Sequence, residues 1–357
     1  MAATSSSRET LHDGRDIYRA ACIACHGPAG TGMPQTTIGF EPPETFPDFT
    51  RCDQTTPEEN RVWTAMIREG GPARGFSQIM PSFAAALTPA QIEAVVGYLR
   101  SFCAEDAWPR GELNLPRALR TEKAFPEDET VLTSAFNAQG TPGIDTELAY
   151  EHRFGKRSQL ELALPFGFVR RNTSGLTGGI GDIAIGVKHV LGESLAPDTH
   201  SGSIFSVQGE VALPTGDETK GLGTGETTFT AFGAYDVLFS DRAFLQLQGG
   251  IDVPRHTSRV PRTIFLRAAA GTSVSEQHGY GRTWSPMIEL TGDRDVEAGA
   301  HTQWDIVPQL QVTLSARQHV RADLGFLIPV TQTADRQRQV MLYVLWDWAD
   351  GAFAEGW

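Results

Sequence analysis

From Val131 to the end of the chain, apolar and polar side chains alternate. In QLELALPFGF, Leu160, Leu162, Leu164, Phe166 and Phe168 stand on one face, with Gln159, Glu161 and Ala163 between them. The same period of two returns at Ile183, Ile185 and Val187, at Leu245, Leu247, Ile251 and Val253, at Ile288 and Leu290, at Leu310, Val312 and Leu314, at Leu324, Phe326 and Ile328, and at Leu342, Val344 and Trp346. Each is predicted as a strand. The first hundred residues follow a different rule. Gly14, Tyr18 and Cys22 recur every four residues, which predicts a helix with a small and an aromatic residue on one face. A second helix is predicted over 88 to 102, with Thr88 as N-cap, Pro89 at N1, Gln91 closing a capping box, and Ile92, Val95, Val96 and Leu99 spaced for burial. Its Tyr98 is expected against the face of Gly14 and Tyr18. Residues 104–127, rich in Pro and charge without a clear period, read as a connector.

The polar face of the strands carries Glu151, Glu161, Lys188, Asp236, Gln246, Gln248, Glu289, Gln309, Gln311 and Asp323. A soluble sandwich with its apolar face buried has the same alternation, so the connections decide. FGKRS, LFSDRA and LSARQH are short; RRNTSGLTGG, LPTGDETKGLGTGET, VPRHTSRVP and GDRDVEAGAHTQ are long. Short and long links taking turns, with strands of ~9 to 11 residues, belong to outer-membrane barrels. The predicted architecture is therefore multidomain: a tail over 1–10 expected to be disordered, an all-α domain over 11–103, a linker over 104–127, and over 128–357 an antiparallel up-and-down transmembrane β-barrel of about twelve strands. Phe154, Phe239, Phe244, Trp284, Trp304, Trp346, Trp348 and Trp357 are candidates for aromatic girdles. Charges are expected to be costly on the lipid face, at Leu247 or Val312, and mild on the lumen face, at Gln248 or Gln311.

Composition narrows this further. The 357 residues include 43 acidic and 30 basic side chains, a formal charge of −13 that would repel phosphate backbones, so no nucleic-acid partner is expected. No apolar run approaches the roughly 18 to 20 residues of a membrane helix, a test that a barrel escapes. The four cysteines, Cys22, Cys25, Cys52 and Cys103, all lie in the first third.

Cys22-Ile23-Ala24-Cys25-His26 is a C-x-x-C-H motif, in which two thiols are spaced to bond a haem's vinyl groups while the adjacent imidazole ligates iron. A redox dithiol or half a zinc site is the plainer reading, but no second cysteine pair follows. Met80, ahead of Pro81 in GFSQIMPSF, offers a thioether as the other axial ligand. Met33 follows the motif closely and Met66 lies in an apparent helix; both are rivals to Met80. Cys52 and Cys103 are either bridged or two thiols. Trp63 is either core or a partner for a haem propionate.

Residues 11 to 103, with a Gly/aromatic first helix, C-x-x-C-H, a Met-Pro loop and an aromatic closing helix, resemble a small monohaem class I cytochrome c. The resemblance implies one covalent haem c held by Cys22, Cys25, His26 and Met80, with both axial positions filled. It also implies one-electron transfer rather than oxygenase or other enzymatic chemistry, a redox protein partner in the periplasm, and a proline carbonyl, from Pro42 or Pro43, on the imidazole. GGIGDIAIGVKHVL and GEVALPTGDETKGLGTGETTFTAFGAYDVLF look like the phenol-degradation-pathway (MetA-type) family of outer-membrane transporters over residues 145 to 255. The order of haem module and barrel is similar to fused cytochrome-porins that oxidise ferrous iron at cell surfaces. The full Met-Pro domain and smaller barrel depart from them, so iron oxidation does not carry over directly.

The resulting expectation is a haem c electron-transfer protein anchored in outer-membrane lipid, its haem domain in the periplasm, passing electrons between periplasmic and extracellular partners. The alternative is a small-solute channel with an attached haem docking or sensing domain. Residues 1–10 lack the charged, apolar and small-residue regions of a secretory signal, and a removed leader or an earlier start is expected.

Overall fold

The computed structural model describes residues 11–34, 37, 39, 41–43, 46–103, 105, 107–139, 142–170, 176–240, 242–277, 280–334 and 336–347. The expected tail over 1–10, and Trp348 and Trp357, lie outside them.

Helices and loops, with no strand, make up the described part of 11–103: α1 (Gly14–Ala21), α2 (Ile23–His26), α3 (Cys52–Thr55), α4 (Asn60–Glu69), a 3-10 turn (Gly71–Arg74) and α5 (Pro89–Arg100). Asp13 starts α1 by accepting from the backbone N–H groups of Arg15 and Asp16. Thr88 and Gln91 form the capping box that starts α5. The two helices cross at Gly14, where a Cβ would lie 1.9 Å from the Ala94 carbonyl oxygen, so only glycine allows the approach. Tyr18 then meets Tyr98 and Phe102 with ring centroids 5.3 and 5.5 Å apart. Ile17, Ile67, Ile92, Val95, Val96 and Leu99 complete this core. Cys52 and Cys103 are bridged, with their Cα atoms 5.3 Å apart, tying α3 to the chain just past α5.

The strands are β1 (Glu129–Asn137), β2 (Gly143–Phe154), β3 (Ser158–Arg170), β4 (Leu176–Ile180 continuing as Ile183–Leu195), β5 (Gly202–Leu213), β6 (Thr228–Leu238), β7 (Ala243–Pro254), β8 (Thr263–Thr272 continuing as Val274–Gln277), β9 (Tyr280–Asp295), β10 (Gln303–Thr313), β11 (Val320–Pro329) and β12 (Gln339–Asp347). The two halves of β4 both pair with β3, and those of β8 both pair with β9, so each counts as one bent strand. Every neighbour pair is antiparallel, and β1 pairs with β12 from Glu129↔Asp347 to Asn137↔Gln339, closing a barrel of twelve strands. Closure leaves no open edge.

The faces are turned as a membrane barrel requires. Leu266 and Ile288 are 54% and 53% exposed, whereas Gln246 and Glu289 are 0% exposed. A sandwich would bury the apolar set, so the alternation is read outward here. Phe154, Phe239 and Trp284 are exposed as a girdle needs; Phe244 is not. It shares inward parity with Gln246 and Gln248, and it packs in the lumen. Leu247→Arg is expected to cost roughly 2 to 4 kcal/mol if Leu247 lies near the bilayer midplane, measured by denaturant titration of folding into lipid; an unchanged midpoint would mean that this face meets no hydrocarbon.

The stretch that reads as a connector runs through the lumen. Leu113, Leu115, Ala118, Ala124 and Phe125 pack against wall residues including Val190, Ile204, Phe232 and Met287. Extended chain inside a barrel has no sheet partner for its N–H groups, and side chains of the wall take that role. Leu119 N donates to Gln309 Oε1 at 3.0 Å, Thr121 N to Glu289 Oε1 at 2.8 Å, Glu122 N to Gln248 Oε1 at 3.2 Å, Ala124 N to Asp236 Oδ2 at 2.8 Å and Glu127 N to Gln159 Oε1 at 2.7 Å. Arg117 pairs with Glu129 at 2.9 Å and Glu151 at 2.6 Å, and Lys123 pairs with Glu127. Glu289, Gln309 and Gln248 sit near the middle of their strands, so the segment fills the barrel from its short-turn end to about half its height. Gln248 and Gln311, whose Nε2 donates to the Arg117 carbonyl at 3.3 Å, hold this segment, so replacing them by Arg is not the mild change expected of a watery lumen.

Candidate cofactor site

Cys22 caps the end of α1, and its carbonyl accepts from the N–H groups of Cys25 at 3.2 Å and His26 at 3.0 Å. The motif is thus a single helical turn that presents two thiols and an imidazole together. Cys22 and Cys25 are half-buried and unbridged, in contrast to Cys52 and Cys103. Gly27 ends the turn at φ +73°, where a Cβ would lie 2.5 Å from the Gly32 carbonyl oxygen, and Tyr18 Oη donates to the Gly27 carbonyl at 2.7 Å. The first helix therefore fixes the residue next to His26.

The His26 ring lies 5.0 Å from the Phe46 ring, stacked on it, and 5.1 Å from that of Phe49. Burial pushes its pKa down to about 4, so the imidazole is neutral, the form that ligates metal. His26 Nδ1 is buried and has no hydrogen-bond partner among the described residues; neither Pro42 nor Pro43 supplies the carbonyl expected there. Met80 packs on the core cluster that also receives Cys22, Ile23, Trp63 and Phe83, so its loop and the start of the motif border the same core. Met33 Sδ would lie 3.5 Å from a Cβ on Gly27, beside the motif, and Met66 is on α4 outside that cluster. Trp63 carries the Arg100 guanidinium over its ring at 4.3 Å and meets Phe49 at 5.5 Å. An unbridged thiol pair, a half-buried imidazole whose buried Nδ1 has no partner among the described residues, and a thioether on the nearby core are donor types that fit haem c.

The domain stands on the short-turn end of the barrel. Arg153 Nη2 donates to the Asp53 carbonyl at 3.0 Å, Arg157 Nε to the Ala107 carbonyl at 2.9 Å, and Arg74 Nη2 to the Arg317 carbonyl at 2.8 Å.

A family model described as cytochrome c oxidase, cbb3-type, subunit III, matches residues 9–99, about a quarter of the chain. The amino-terminal domain is of cytochrome c type. Such a domain implies haem c, electron transfer and a redox partner. No curated protein matches the chain. Among solved structures, an outer membrane channel from Pseudomonas putida F1 is 13% identical with a TM-score of 0.41, covering 66% of this chain and 100% of that one. The KdgM porin is 9% identical with a TM-score of 0.37, covering 62% and 99%, and the NanC porin is 7% identical with a TM-score of 0.40, covering 61% and 99%. The barrel assignment rests on the chain's own closed strand pairing and outward apolar face.

Sequence reasoning missed the aromatic pair at His26, the lumen segment and the contact of Arg74 with Arg317. Phe46 and Phe49 lie in a loop without period, and only proximity in the fold reveals them. Arg117 and Lys123, basic residues ahead of a barrel with an acidic lumen, were the available signal for the second.

Proposed function

We propose that the chain is a haem c electron carrier anchored at the outer membrane by its barrel. Cys22 and Cys25 would bond one haem, His26 and Met80 would supply the nitrogen and sulfur ligands to its iron, and the group would provide a reversible one-electron couple. The observation that carries this reading is the single unbridged turn Cys22–Cys25–His26, whose Cys22 packs on the core cluster that also receives Met80. Phe46 and Phe49 lie against the imidazole and share in the burial that lowers its pKa. In bacterial barrels the short turns face the periplasm, which puts the haem domain there beside a periplasmic redox protein. The outward apolar face meets lipid. The lumen segment favours an anchor over a solute channel, and electron exchange with extracellular partners would need a path through or across the barrel.

Spectra of the detergent-solubilised protein test the ligands. The ferric form is expected to show the sulfur-to-iron band near the red end, and Met80→Ala to lose it with a fall in potential, because a thioether favours ferrous iron. A band that survives would move the role to Met33 or Met66, and a protein purified without haem would end the reading.

A further inference from the structure

The loop carrying Met80 is closed on itself and then fastened to the barrel. Gly71 N donates to the Met80 carbonyl at 3.0 Å, Phe76 N to the Gly71 carbonyl at 2.9 Å, and Met80 N to the Ser77 carbonyl at 3.3 Å. A Cβ on Gly71 would lie 2.1 Å from the Ser77 carbonyl oxygen, so the two sides of the loop touch and move as one piece. Its outer side meets the turn between β10 and β11 in an exchange of two arginines. Arg74 donates to the Arg317 carbonyl at 2.8 Å, while Arg317 donates to the Gly75 carbonyl at 3.2 Å and lays its guanidinium over the Phe76 ring at 4.2 Å. Both side chains are buried. The barrel turn is itself fixed: Gln318 has φ +67°, a left-handed conformation unusual for its type, and its Nε2 donates to the Gly281 carbonyl at 2.6 Å and to Thr283 Oγ1 at 3.3 Å.

We propose that Arg317, a barrel residue, is a positioning residue for the sixth haem ligand. By holding residues 74–76 it keeps the Met80 loop shut, so docking on the barrel sets how readily the thioether leaves the iron. The inference rests on the reading of Met80 as ligand. When the loop opens, a nitrogen lone pair of an added base takes the place of the sulfur lone pair, with no change in oxidation state.

The test is imidazole binding to the ferric full-length protein in detergent, followed by loss of the sulfur-to-iron band, together with a redox titration. Arg317→Ala is expected to tighten imidazole binding by about tenfold and to lower the potential, as loss of a charge-assisted contact that holds only the closed loop would do. Arg317→Lys keeps the charge without the planar fork and is expected to fall between. Phe76→Leu removes the stacking partner from the haem side and should act in the same direction, which covers an Arg317 variant that fails to fold. Arg259→Ala, at the opposite end of the barrel, should change neither reading. Unchanged imidazole affinity in both Arg317→Ala and Phe76→Leu, with the band present in the unmodified protein, overturns this inference alone. If Met80→Ala keeps the band, the ligand assignment falls first and the inference falls with it.

Discussion

Replacing both motif cysteines, Cys22→Ser with Cys25→Ser, is expected to yield a chain that carries no haem through denaturing electrophoresis. A serine hydroxyl does not form the thioether that a thiol forms with a vinyl group, and Cys52 and Cys103 are bridged to each other and offer no substitute. The single replacements should each leave one bond and a reduced haem stain. The cluster of Ile17, Tyr18, Phe49 and Val95 receives Cys22, Ile23 and Met80 at its edge, so losing the group should also loosen this domain. The barrel should persist, because β1 to β12 close through their own ladder and the lumen segment supplies its interior. The check is haem staining of the denatured double variant beside its heat-dependent gel shift. Full staining of the double variant would show that the motif is not the point of attachment.

What could be read from the sequence was what short-range order fixes. The Thr88–Gln91 box, the Gly14 and Tyr18 face and the spacing of Cys22, Cys25 and His26 each act within a few residues; the box and the helix contact form as expected, and the motif closes into one helical turn. Alternation gave the strands, and closure followed from the length and order of the links. Phe244 shows a misuse of the same signal: in β7 the outward positions are Leu245 and Leu247, so Phe244 shares the parity of Gln246 and must face inward, however aromatic it is. Residues 111–127 were opaque for a different reason. Their order comes from partners far along the chain, such as Glu289 for Thr121 and Gln309 for Leu119, and no local period encodes such contacts. The grip of Arg317 on Gly75 and Phe76 is equally remote.

Replacing residues 114–123 by a Gly-Ser linker is expected to turn a closed barrel into a conducting one. In the intact chain Arg117 and Lys123 neutralise Glu129, Glu151 and Glu127, and Leu115, Ala118 and Leu119 occupy the space between opposite walls. Removing the segment takes away both cations and the apolar filling, and water entering the lumen can then hydrate Glu129, Glu151, Glu161, Asp236 and Glu289. Stability should fall, since breaking a buried ion pair from one side costs about 3 to 5 kcal/mol before water relieves it. Twelve strands enclose a lumen wider than eight strands do, and side chains alone do not fill it. Conductance in a planar lipid bilayer should therefore rise by more than about tenfold over the intact protein, with cations preferred because the remaining wall charges are mostly acidic. A milder version, Glu289→Ala, removes the acceptor for Thr121 and should give brief openings rather than a steady current. If the intact protein already carries the steady current of the deletion, residues 111–127 do not close the lumen, and the barrel is a pore as well as an anchor.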